Sequence, residues 1–174
     1  ESAVMGAISG IFAATGQTCI AGSRLLVQRS IHDRFVERLI EVAKEAKIGD
    51  PMSTETHVGP VTTPPQYRKI LDYIEVARKE GAKCVLGGKP YAGDGVRSDR
   101  FVEPTIFTGV SNQMRIAQEE IFGPVLSVIP FEDEDEAIAI GNDIVFGLAA
   151  GVWTSDIGRA LRMSEKLKAG TIWV

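Results

Sequence analysis

From residue 125 onward, short apolar runs of strand composition alternate with amphipathic helical segments, and no other feature restricts the fold as much. Residues 125–129 (VLSVI), 149–153 and 171–174 read as strands, with helices over 133–142 and 155–168 between them. Strands separated by helices pair most simply in parallel. The alternation therefore predicts right-handed βαβ units and an α/β fold, doubly wound, with a largely parallel sheet and helices on both faces. The acidic run over 132–136 falls at a helix start, where the macrodipole favours anions.

The first half of the chain fits the same plan. Val4, Ala7, Ile8, Ile11 and Phe12 recur at helical spacing, which predicts a helix over 3–15 with Gly16 as its C-terminal cap. Gly6 and Gly10 each cost such a helix about 1 kcal/mol relative to alanine. Four apart, they share a face that another element can approach closely. Residues 24–28 (RLLVQ) read as a strand. Ser30 opens a helix with a capping-box pattern and a buried stripe of Phe35, Leu39, Ile40 and Ala43. Gly49, Pro51, Gly59 and Pro60 mark a loop, after which Thr63 is an N-cap, Pro64 a first helical residue and Gln66 a capping-box partner. That helix is expected to reach about residue 80, with Ile70, Ile74 and Ala77 inward and Gly81 beyond its end. Residues 84–86 read as a strand, 87–100 as a solvated loop, and 104–110 as a strand or hairpin.

Composition narrows the function classes. A chain of 174 residues supports one domain with a sizeable core. No apolar run approaches the roughly 20 residues of a membrane span, and no secretory signal is present. Net charge is −4, and Lys and Arg are scattered, which argues against a nucleic-acid footprint and for a small-molecule partner. Two cysteines far apart do not make a disulfide framework and suit a reducing, cytoplasmic setting. The sequence contains no GxGxxG, P-loop or CxxC pattern, and His32 and His57 lack metal-site spacing. Beginning at Glu1 and stopping at Val174 inside an expected strand, the chain reads as a piece of a longer protein.

Within residues 12–24, FAATGQTCIAGSR, Cys19 stands between small residues on a connection from helix to strand. A lone cysteine is most often a packed, inert thiol. Its neighbours argue for a nucleophile: Gly16, Ala21 and Gly22 leave room for a planar electrophile, and Gln17 and Thr18 can fix the loop by hydrogen bonds. The Cys19 N–H can stabilise an oxyanion beside its own sulfur. A thiol just beyond a helix C-terminus meets the negative end of the dipole, so its activation must come from another group.

This stretch resembles the cysteine active-site signature of the NAD(P)-dependent aldehyde dehydrogenase superfamily. Residues 119–125, EEIFGPV, resemble a second family segment, FVEPTIF over 101–107 a third, and FGLAAGVWT with AGTIWV a fourth, so the likeness runs through the whole chain in order. The resemblance implies that Cys19 attacks an aldehyde. The thiohemiacetal then gives hydride to NAD or NADP, and the resulting thioester is hydrolysed to a carboxylic acid. It implies that Glu120 binds the nicotinamide ribose hydroxyls and that Phe122 packs by the nicotinamide. Taken without the motif, these two would be an exposed loop carboxylate and a core aromatic. Gly16, Gln17 and Arg24 match positions that shape the loop.

By the same resemblance, residues 1–174 are the cysteine-bearing catalytic domain of a homo-oligomeric enzyme. The general base, the oxyanion asparagine, and the cofactor-binding and oligomerisation segments would lie outside the chain, which alone is expected to be inactive. Other readings are a CoA-acylating relative, a cysteine hydrolase and a non-catalytic interaction module.

Overall fold

The computed structural model describes residues 1–93, 96 and 100–174. Its central element is β4 (Val125–Phe131), whose first five residues are all buried. An apolar run of this kind suits a strand covered on both faces. On one side β4 pairs in parallel with β1 (Arg24–Gln28), placing Leu26 opposite Ile129. On the other it pairs in parallel with β3 (Thr105–Thr108), which is joined to the antiparallel edge strand β2 (Lys83–Leu86) through a register shift between Cys84 and Leu86. The order is β1-β4-β3-β2.

Side chains alternate across the sheet, and the core divides accordingly. Phe107, Val125 and Ile129 pack with Ile70, Ile74 and Ala77 of α3 (Pro64–Lys79) and with Ile116 and Ala117 of α4 (Arg115–Gln118). Ile106, Leu126 and Val128 face the opposite way. They pack with Val4, Ile11 and Phe12 of α1 (Ser2–Phe12) and Val36, Leu39 and Ala43 of α2 (His32–Lys44). This two-sided division produces the expected α/β sandwich. Both clusters are large and dry, and at roughly 25 cal/mol per Å² of apolar surface they dominate the stability of the chain.

The remaining strands do not join this sheet. β5 (Ala149–Gly151) and β6 (Thr171–Trp173) form a separate parallel pair connected through α6 (Ile157–Lys166). Ahead of them runs α5 (Glu134–Asn142), capped by the Asp133 carboxylate, which accepts from Glu136 N at 2.9 Å. Thus the alternation correctly marks parallel units, but these divide into two sheets. At α3 the expected cap is present: Thr63 Oγ1 accepts from Gln66 N at 3.4 Å, and Pro64 opens the helix.

Two local expectations are corrected. A short 3₁₀ turn, Arg29–Ile31, precedes α2, and the His32 N–H bonds to Arg29 O, so the Ser30 hydroxyl makes no cap; Ile31 occupies the cap position without a side-chain bond. The buried stripe of α2 also rotates, with Val36 joining Leu39 and Ala43 while Phe35 and Ile40 are half-buried. In the loop expected over 87–100, residues 94, 95 and 97–99 lie outside the described residues. Pro90 bridges to Val102 across it.

Candidate active site

Beyond Phe12 the chain enters a 3₁₀ turn, Ala13–Gly16, in which Ala14, Thr15 and Gly16 have φ of 50°, 59° and 66°. Left-handed backbone at a non-glycine residue costs on the order of 1–3 kcal/mol and persists only where the surroundings enforce it. Here they do. Thr15 is buried and its hydroxyl donates to Gly59 O at 3.1 Å. Gln17 Oε1 accepts from Thr62 N at 3.0 Å, and Gly22 N returns to Gly10 O at 2.9 Å, binding the loop to α1. Gly6 serves the close approach differently, since a β-carbon there would meet the Trp153 ring at 2.2 Å. Cys19 stands at the tip of this loop, reduced and exposed. Among the described residues its N–H has no acceptor. Arg24 points away from the thiol, donating to Asn112 Oδ1 at 2.7 Å and to the carbonyls of Ile140 and Gly141 at 3.0 Å. Burial pushes its pKa down, and nearby Asp143 partly opposes that.

The EEIFGP segment follows α4 as a second strained turn, with Phe122 at φ 59°. Gln66 stabilises it from the first turn of α3: its side-chain amide donates to Ile121 O at 2.7 Å and Phe122 O at 2.9 Å. The glutamine expected to complete a capping box is therefore used across the fold. Glu119 is held by Arg115, with Nε to Oε1 at 2.8 Å and a terminal nitrogen to Oε2 at 2.9 Å, and by the Tyr73 hydroxyl at 2.5 Å. The Arg115 guanidinium first, and the Tyr73 hydroxyl next, hold the Glu119 carboxyl down to about 2. Glu120, one residue on, is exposed, and its carboxylate makes no hydrogen bond or ion pair among the described residues.

The two turns meet at backbone level. A β-carbon on Gly16 would lie 2.1 Å from Gly123 O and 2.9 Å from Pro124 N, and one on Gly123 would lie 2.5 Å from the Ile70 side chain. Cys19, Glu120 and Phe122 share one cleft of ≈ 1050 Å³, which Phe146, Trp153 and Trp173 also line. An unpaired carboxylate and a half-buried aromatic ring on one turn, in a cleft of the size that takes a nucleotide-like ligand, fit the nicotinamide ribose end of a dinucleotide. Neither histidine lines the cleft: His32 Nδ1 meets Asp33 at 2.8 Å, and His57 Nδ1 accepts from Lys47 N at 3.0 Å. Among the described residues no cluster of three His, Cys, Asp or Glu side chains could hold a metal ion, and no helix is long and apolar enough to cross a membrane. The roles of Gln66 and Tyr73 carry no local sequence signal, since their partners lie 55 and 46 residues away, whereas Arg115 and Glu119 stand at the i,i+4 spacing that sequence shows.

The chain is similar to known proteins over its whole length. A profile of the aldehyde dehydrogenase family matches residues 1–174. Betaine aldehyde dehydrogenase from Mesorhizobium japonicum is 50% identical over all 174 residues, which correspond to 36% of that protein. The enzyme of the same name from Brucella anthropi is 49% identical with the same coverage. The chain thus spans about a third of the length of these curated relatives. Betaine aldehyde dehydrogenase from Staphylococcus aureus, solved with NAD+, superposes with a TM-score of 0.96 at 46% identity, over 98% of this chain and 34% of that one. An indole-3-acetaldehyde dehydrogenase solved with NAD+ gives 0.93 at 47% identity, over 99% of this chain and 34% of that one.

Proposed function

This chain belongs to the aldehyde dehydrogenase family, and from that premise we propose that it is the cysteine-bearing catalytic domain of a longer enzyme that oxidises an aldehyde to a carboxylic acid with NAD(P)+. The observation that carries the reading is the shared cleft: an exposed thiol with a free N–H beside it lines the same cleft as the unpaired Glu120 carboxylate and the Phe122 ring. Cys19 is the nucleophile in this proposal. As thiolate, its sulfur bonds to the carbonyl carbon, and the carbonyl π pair moves to oxygen, where the Cys19 N–H donates to the developing oxyanion. NAD(P)+, when bound, supplies the acceptor for the hydride that leaves the same carbon. Glu120 would hold its ribose hydroxyls and Phe122 would pack beside its nicotinamide. Water then cleaves the thioester, releasing the acid and restoring the thiol.

NAD+ is the proposed acceptor because solved relatives hold it, and the relatives' shared name makes betaine aldehyde the first substrate to test. A homo-oligomer in the cytoplasm completes the proposal; the free thiols suit a reducing compartment. In the longer enzyme, Cys19→Ser is expected to lower NADH formation from betaine aldehyde by at least about 10³-fold, with NAD+ binding by calorimetry unchanged. Retention of a tenth of the activity would overturn the assignment.

A further inference from the structure

We propose that Tyr73 and Arg115 are positioning residues, which clamp Glu119 and thereby aim the Glu120 carboxylate into the cleft; the inference rests on the reading of Glu120 given above. Two adjacent glutamates stand on this turn, and the motif that singles out Glu120 does not say what keeps Glu119 from taking its place. Glu119 has extended backbone, φ −114° and ψ 147°, and successive side chains on extended backbone point to opposite sides. Both residues line the cleft, so a Glu119 carboxylate tied toward α3 leaves that of Glu120 as the one free to meet a ligand there.

The clamp makes that choice. Both oxygens of Glu119 are taken, by two Arg115 nitrogens at 2.8 and 2.9 Å and the Tyr73 hydroxyl at 2.5 Å. A paired guanidinium–carboxylate fork fixes direction as well as distance. The Arg115 guanidinium also lies over the Tyr73 ring, 5.5 Å from its centroid, so both donors are braced against each other. Arg115 N donates to Glu80 Oε2 at 2.9 Å, so the start of α4 is bound just beyond the end of α3. The short α4 is thus secured to α3 through Tyr73 and Glu80, and the clamp biases which way the Glu119–Glu120 peptide turns its two carboxylates. Without the clamp, the peptide can rotate and Glu120 spends part of its time away from the cofactor.

The test is a double-mutant cycle in the longer enzyme, with KM for NAD+, kcat and KM for aldehyde as readouts and Cys19 alkylation rate as a check that the fold persists. Tyr73→Phe is expected to raise KM for NAD+ about five- to tenfold, less than the full worth of a charged hydrogen bond because the clamp is exposed, while kcat stays within about twofold. In a Glu120→Gln background the same change is expected to have no further effect. Equal effects in both backgrounds, or none in either, overturn the inference while leaving the role of Glu120 standing. If Glu120→Gln alone leaves KM for NAD+ unchanged, that role fails and the inference falls with it. Glu119→Gln, which keeps the shape and loses the charge, must give the same pattern, and it decides the matter by the same criteria if Tyr73→Phe does not fold.

Discussion

At Gly16 two demands coincide. Its φ of 66° is a conformation that L-residues adopt at a cost of roughly 1–2 kcal/mol, and a β-carbon would overlap Gly123 O at 2.1 Å. Gly16→Ala is therefore expected to lose at least about 2 kcal/mol of stability in urea denaturation, with Cys19 alkylation altered because the loop must move. Gly10 is the control. It lies in α1 with nothing within 4 Å of its built β-carbon, so Gly10→Ala should be neutral or stabilising by up to about 1 kcal/mol. A stable Gly16→Ala protein with unchanged thiol reactivity would disprove the account of this contact. Sequence singles out Cys19, Glu120 and Phe122 through their motifs. It gives no hint that Ala14 and Thr15 take left-handed backbone, because neither residue type favours it and the enforcing partners, Gly59 and Thr62, belong to another segment.

Among the elements, helices are joined by carboxylates whose titration has a definite sign. Glu119 joins α4 to α3, and Glu134 joins α5 to α6 by accepting from Arg162 at 2.8 Å, with Arg159 at 3.4 Å. The Arg115 guanidinium chiefly depresses the first, the Arg162 guanidinium the second, each from 4.5 to about 2. A carboxyl depressed in the folded state stabilises above its unfolded pKa. That contribution is expected to be present above about pH 4.5 and to drain away as pH falls toward 2. Glu119→Gln and Glu134→Gln should each flatten the pH dependence of stability in that window, and added salt should shrink the difference since both pairs are exposed. Identical acid profiles for wild type and variants would contradict this.

Element existence follows from local pattern, and the six strands among the described residues and the longer helices lie where their periodicity predicts. Direction and partnership do not follow. The antiparallel turn of β2 and the order β1-β4-β3-β2 depend on pairings between distant segments, and the separation of β5–β6 from the main sheet has no local signature. Gln66 illustrates the limit: its spacing from Thr63 matches a capping box, yet two carbonyls across the fold compete for the same amide and win.

Over the whole molecule, packing is uneven. Neither apolar cluster reaches beyond Ile140, and in the β5–α6–β6 segment Ala160 is the buried apolar side chain among the described residues, while Trp153, Ile157 and Trp173 are 61%, 74% and 51% exposed. Side chains of that segment form a wall of the cleft. A thinly packed wall opens locally at small free-energy cost. The 174-residue chain by itself is therefore expected to produce no steady NADH from aldehyde and NAD+, and to show little amide protection over 145–174 compared with β4; sustained turnover by the isolated chain would refute this. The seam between Gly16 and Gly123 behaves in the opposite way. Where side chains mediate a contact, rotamers can absorb a displacement. Here backbone lies against backbone, so there is no compliant layer between the thiol and the turn carrying Phe122. The spacing between Cys19 and Phe122 is consequently set by a van der Waals contact between two main chains, and a movement on one side of the seam must be transmitted to the other undiminished or part the two loops altogether.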